Sequence, residues 1–166
     1  MNTRTLIINS LLAALYVAVS LFLYNFSYGL MQFRVSEMLN LLVVYNRKYF
    51  FGIVVGVFLT NIFSQNGVLD LFFGVGQSVI ALGITIIFGL IIKNKVQLMS
   101  ISTIIFTLTM AIIAYEIILV NNVQNVPNDP FLIMWGLVAI GEFTVMAIGI
   151  PIIYALDKRL HFKELI

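Results

Sequence analysis

The chain has 166 residues, one domain's worth, with 61% hydrophobic and only 10% charged residues. A water-soluble domain carries about a quarter charged residues, so there is too little polar surface here to cover a globule, and lipid is the solvent expected for most of the surface. The net charge of +2 is weak ground for an anionic partner, because basic residues in a membrane protein mostly mark its cytoplasmic side. With no cysteine and one histidine, His161 in a charged tail, neither a disulfide framework nor a zinc or iron–sulfur site is expected.

The reading is an all-α membrane protein, a single integral membrane domain over residues 1–166 with helices at about 5–26, 33–46, 48–64, 69–92, 99–121 and 131–156. Arg4 ahead of an apolar run looks like a signal peptide. The run from Leu6 to Phe26 spans about 20 residues, longer than the apolar region of a usual signal, and further spans follow it, so it reads as a retained first helix. The segment 33–46 is short and opens on Arg34 and Glu37, as a partial or tilted span would. Tyr45-Asn46-Arg47-Lys48 and Lys93-Asn94-Lys95 are charged turns, and the polar stretch from Asn121 to Pro130 holds two prolines that cannot continue a helix. Pro151 is expected to kink the last span. With six spans and a cytoplasmic N-terminus, the inside segments gather Arg4, Arg47, Lys48, Lys93, Lys95, Lys158, Arg159 and Lys163. That is eight of the nine basic residues, with Arg34 alone outside. Both termini are therefore expected in the cytoplasm.

Arg34, Glu37, Asp70, Glu116 and Glu142 remain as ionisable groups at or within the bilayer, each costing roughly 2.5–3.5 kcal/mol at a helix centre. At about 1.5 Å per residue, Arg34 and Glu37 lie at the outer start of the second segment and Asn61 near the outer end of the third. Gln77 falls roughly 10 Å below Asp70, and Glu142 about 10 Å below the level of Trp135. Separate helices thus bring polar groups to one level in the outer half, the pattern of a binding site. Arg34, Glu37 and Asn40 share a face at three-residue spacing.

Each residue also has a structural reading. Arg34 and Glu37 satisfy each other; Glu116 and Glu142 hydrogen-bond a neighbouring helix; Asn61 and Gln77 act as interhelical glue; Asp70 caps its helix, the preferred reading for that residue. The carboxylate excess favours a neutral or cationic ligand, either a planar amidine-like edge or an ammonium group. Phe22, Tyr24, Phe26, Tyr28 and Phe33 can cover a ring, although aromatic belts are commonplace at interfaces. Two small-residue motifs stand apart: Ser10, Ala14 and Ala18 at four-residue spacing, and Gly52 with Gly56. Internal packing is the preferred reading for the glycines, and the first ridge can serve packing or a partner subunit.

Gln32-Phe33-Arg34-Val35-Ser36-Glu37, the basic turn, the Gly52–Gly56 helix, Asn61-Ile62-Phe63-Ser64 and Leu69-Asp70-Leu71-Phe72-Phe73-Gly74 together resemble the QueT family. Its members are substrate-binding (S) components of energy-coupling factor (ECF) transporters for queuosine precursors. The resemblance covers nearly the whole chain and is strongest from about 30 to 80. It implies six helices in a bacterial cytoplasmic membrane, a ligand enclosed from outside by the first outer loop, and a deazaguanine ligand such as the aminomethyl form. It further implies a first-helix ridge, here Ser10, Ala14 and Ala18, docking on a transmembrane coupling subunit that works with two ATP-binding subunits. This chain has no Walker A sequence, so it is expected to be a non-catalytic subunit with no cofactor, no metal and no nucleic-acid partner. The expected ligand contacts are Arg34, Glu37, Asn40, Asn61, Gln77, Glu116 and Glu142, with Glu116 or Glu142 reading the guanine-like edge. The main alternative is a stand-alone proton- or cation-coupled carrier using Glu116 and Glu142 as proton sites. No inverted repeat is evident to support it.

Overall fold

The computed structural model describes residues 2–23, 33–64, 68–127 and 129–166. These form α1 (Thr3–Phe22), a 3₁₀-helix η1 (Val35–Val44), α2 (Tyr49–Ile62), α3 (Val68–Ile91), α4 (Lys95–Gln124), α5 (Phe131–Leu160) and a single turn, α6 (Phe162–Leu165). No strand occurs among the described residues. Four helices, α1, α3, α4 and α5, are long and apolar enough to cross a membrane, while η1 and α2 are shorter apolar helices.

The helix ends follow from local chemistry. The Asn2 side chain accepts a hydrogen bond from the Thr5 N–H at 2.9 Å and opens α1. Asn94 does the same for Val96 and Gln97 at the start of α4, each relieving donors that have no partner inside the helix. Both 30-residue helices run beyond the ranges 99–121 and 131–156 expected from hydropathy. The polar Asn121–Gln124 stretch stays helical until Asn125, which closes α4 in the left-handed region at φ 55°, a conformation asparagine tolerates better than most residues. Pro151 sits inside α5, and its missing N–H leaves the Ala147 carbonyl without the usual in-helix donor.

The segment expected as a short second span is a 3₁₀-helix of ten residues. At about 2.0 Å per residue it covers about 20 Å, short of the ~30 Å hydrocarbon core. Its role is central: η1 packs against α1, α2, α3, α4 and α5, and Leu41 to Val44 are all buried. Its apolar second half lies in the interior, and η1 is the strut around which the long helices gather.

Glycine sets the closest approach. A Cβ at Gly52 would fall 2.6–3.0 Å from atoms of Asn9, and one at Gly56 would fall 2.7 Å from the Tyr16 Cβ. The pair is therefore the surface on which α1 lies against α2, where the Asn9 Oδ1 also accepts from the Gly52 N–H at 2.9 Å. Between α3 and α4, Thr85 and Ser102 hydroxyls pair at 3.1 Å. At the basic end, Phe162 of α6 packs on Tyr45 and Tyr49, and the Tyr49 hydroxyl donates to the Phe162 carbonyl at 2.8 Å. That closure leaves the opposite half, where η1 and α3 begin and α2 finishes, to hold the polar cluster.

Candidate functional site

Four elements bring charge to the half of the bundle opposite the basic turns. Arg34 and Glu37 come from the start of η1, Asp70 from the first turn of α3, Glu116 from α4 and Glu142 from α5. All five are buried, with Glu116 and Glu142 at 0% exposure. Because a 3₁₀-helix has three residues per turn, side chains three apart eclipse one another. Arg34, Glu37 and Asn40 therefore stand in one row, tighter than an α-helix would make them. Within the row, the Arg34 guanidinium lies 3.6 Å from Glu37 Oε1, and the Asn40 amide donates to Glu37 Oε2 at 3.2 Å.

The other carboxyls are arranged differently. Glu142 faces Glu37, and Glu116 faces Asp70. Among the described residues no donor reaches either oxygen of Glu116 or of Glu142, nor Asp70 Oδ2. Two facing carboxylates repel each other, and the Arg34 guanidinium is a cation that acts electrostatically on both Glu116 and Glu142. The cluster can therefore bind a species that brings positive charge or N–H donors into two separate carboxyl pairs.

A small cleft borders this cluster, lined by Tyr16, Ser20, Arg34, Ser36, Val57, Thr60 and Asn61, with room for about one water molecule. Ser20 and Ser36 hydroxyls pair across α1 and η1 at 2.6 Å. Asn61 is turned to α3, donating to the Asp70 carbonyl at 3.1 Å, and Gln77 donates to Thr109 of α4 at 2.9 Å while accepting from Ser78. Their side-chain amides thus tie helices together around the carboxyls.

Asp70, expected to cap the exposed end of its helix, lies within the first turn of α3. It is the third residue of α3 and 1% exposed, so its carboxyl lies inside the bundle opposite Glu116. Tyr16, Ser20 and Thr60 were unmarked by sequence, and Ser36 entered only as part of the Gln32–Glu37 element. A hydroxyl in an apolar helix has no distinguishing signal until a neighbouring helix is placed. Trp135, used as an interface marker, is half-buried and donates its indole N–H to the Thr107 carbonyl at 3.4 Å. Of the aromatics, Phe22 is 89% exposed and Phe33 is half-buried, whereas Tyr24, Phe26 and Tyr28 lie outside the described residues. Ser10, Ala14 and Ala18 are all exposed on α1, so this ridge, unlike Gly52 and Gly56, takes no part in the internal packing.

Comparison with known proteins agrees with this architecture. The family model described as QueT transporter matches residues 6–158. A curated relative from Lactococcus lactis subsp. cremoris (strain MG1363), the "Queuosine precursor transporter QueT", is 31% identical over 172 aligned positions that cover 98% of each chain. No solved structure matches the chain. A multi-pass cell-membrane protein with its buried charges gathered in one half of the bundle, this chain belongs to the QueT transporter family.

Proposed function

We propose that this chain is the substrate-capturing subunit of an ECF-type importer and binds a queuosine precursor, an aminomethyl-substituted deazaguanine, in its outer half. The observation that carries the reading is the pair of fully buried glutamates, Glu116 and Glu142, whose oxygens accept no hydrogen bond among the described residues and each of which faces another carboxyl. A deazaguanine has a planar edge of adjacent ring N–H and exocyclic amine, which suits bidentate contact with one carboxylate. Its protonated aminomethyl group suits a second carboxyl pair. Arg34, Glu37, Asn40, Asn61, Gln77, Glu116 and Glu142 form the ligand site in this reading, joined by Asp70. A ligand as large as a bicyclic ring needs more room than the present cleft, so binding includes an opening of the helices around η1.

The accompanying topology is six membrane segments with both termini in the cytoplasm, supported by the grouping of eight of nine basic residues on one side. Ser10, Ala14 and Ala18 offer an exposed small-residue surface for a transmembrane coupling subunit. Two ATP-binding subunits supply the energy that reorients the chain.

Calorimetric titration of the detergent-purified protein with 7-aminomethyl-7-deazaguanine tests the site. Glu116→Gln and Glu142→Gln are each expected to weaken binding at least tenfold; unchanged affinity in both variants removes them from the site. Facing carboxyls also suit a proton-coupled carrier, and this second reading predicts uptake into proteoliposomes by the chain alone, driven by a proton gradient.

A further inference from the structure

A groove on the lipid-facing side of the bundle, at its basic end, lies between α2 and α3. Its walls are Phe50, Phe51, Gly83 and Ile86, and Arg47 and Lys48 stand at its mouth; the volume is about 400 Å³. Arg47 and Ile86 also line an adjoining, more polar chamber of about 180 Å³ that includes Asn46 and Lys95. Gly83 lies eight residues from the end of α3, so the groove reaches about 12 Å inward from the basic rim. At Gly83 a Cβ would meet nothing within 4 Å, which makes the glycine a notch in the wall and not a packing contact.

The cations at this rim are not equivalent. Lys95 Nζ donates to the Val44 carbonyl and lies 5.5 Å from the centre of the Tyr45 ring, so it is committed to the fold. The side chains of Arg47 and Lys48 make no ion pair or hydrogen bond among the described residues, and both are exposed. Two uncommitted cations at the mouth of an apolar slot present the charge pattern of an anionic amphiphile, with a phosphate at the rim and a hydrocarbon chain along the slot.

We propose that this groove is a binding site for an anionic phospholipid. Arg47 and Lys48 hold the headgroup phosphate, and the notch at Gly83 admits the acyl chain between α2 and α3. A zwitterionic lipid has the same chains but cancels the attraction with its own cation, so the site discriminates by headgroup charge. The inference rests on the α2–α3 face alone and is independent of the carboxyl site.

The test is native mass spectrometry of the full chain in detergent with equimolar dioleoyl phosphatidylglycerol and dioleoyl phosphatidylcholine. The wild type is expected to retain at least fivefold more phosphatidylglycerol. The double variant Arg47→Gln, Lys48→Gln should lose that preference. Gly83→Leu, which fills the notch, should reduce retention of both lipids, whereas Gly83→Ala should leave it unchanged. Equal retention of the two lipids by the wild type, or a preference that survives the charge variant, overturns the proposal. So does full competition by 10 mM inorganic phosphate, which would mark a free-anion site, or a well-folded Gly83→Leu protein with wild-type retention. Should Gly83→Leu not fold, the charge variant decides.

Discussion

Among the described residues Glu116 and Glu142 have no donor in a fully buried site, an arrangement that stability alone does not favour, because an unpaired buried polar group costs about 1–3 kcal/mol. The same feature makes them receptive to a ligand that supplies the missing donors. Asp70 sharpens this at the level of one atom. Asp70→Asn replaces a facing carboxyl with an amide able to donate to Glu116. It is expected to stabilise the ligand-free protein by about 1 kcal/mol and to weaken deazaguanine binding severalfold. Thermal unfolding in detergent and calorimetry check the two halves; a less stable protein with unchanged affinity would make Asp70 structural. Sequence alone places Asp70 at a helix end, where a cap is the economical reading. That the residue is buried, and that Glu116 from a helix more than forty residues further on stands opposite it, depends on how α3 and α4 pair. Arg34, Glu37 and Asn40 were legible earlier because their relation is local: three-residue spacing puts them together in any helix, and the 3₁₀ geometry only tightened the row.

Among the elements, α1 and α2 meet through glycine and η1 is enclosed by the long helices. Gly56→Leu would drive a side chain into Tyr16, whose Cβ lies 2.7 Å from the position a new Cβ would take. Overpacking of this kind typically costs about 1–3 kcal/mol. Gly136→Ala, where a Cβ meets nothing within 4 Å, should instead be neutral or stabilising by about 0.5–1 kcal/mol from helix propensity. Denaturant or thermal unfolding of the two variants separates packing from propensity, and similar losses in both would deny Gly56 its contact role. The glycine spacing was readable as a close-approach motif, but its partner was not, since GxxxG says how near a helix comes and nothing of which helix. The short segment 33–46 was likewise readable as an incomplete span; that it becomes the central strut is a property of the assembled bundle.

For the molecule as a whole, the two halves are chemically opposite. One gathers the basic turns, the other the buried carboxyls, and the exposed Ser10–Ala14–Ala18 ridge lies along α1. In the proposed transporter, Ala14→Trp is expected to leave deazaguanine affinity unchanged while abolishing co-purification with the coupling subunit. A normal complex would return the ridge to a lipid-facing surface. What the sequence by itself determined was the solvent: composition demands lipid around the helices, because that follows from transfer energies that each residue carries wherever it is. Tertiary structure decided which buried charges meet. Glu142 faces Glu37 and Glu116 faces Asp70 only because α5 lies on η1 and α4 on α3, and electrostatic contact between distant segments depends on separation in space, which no local pattern of residues encodes.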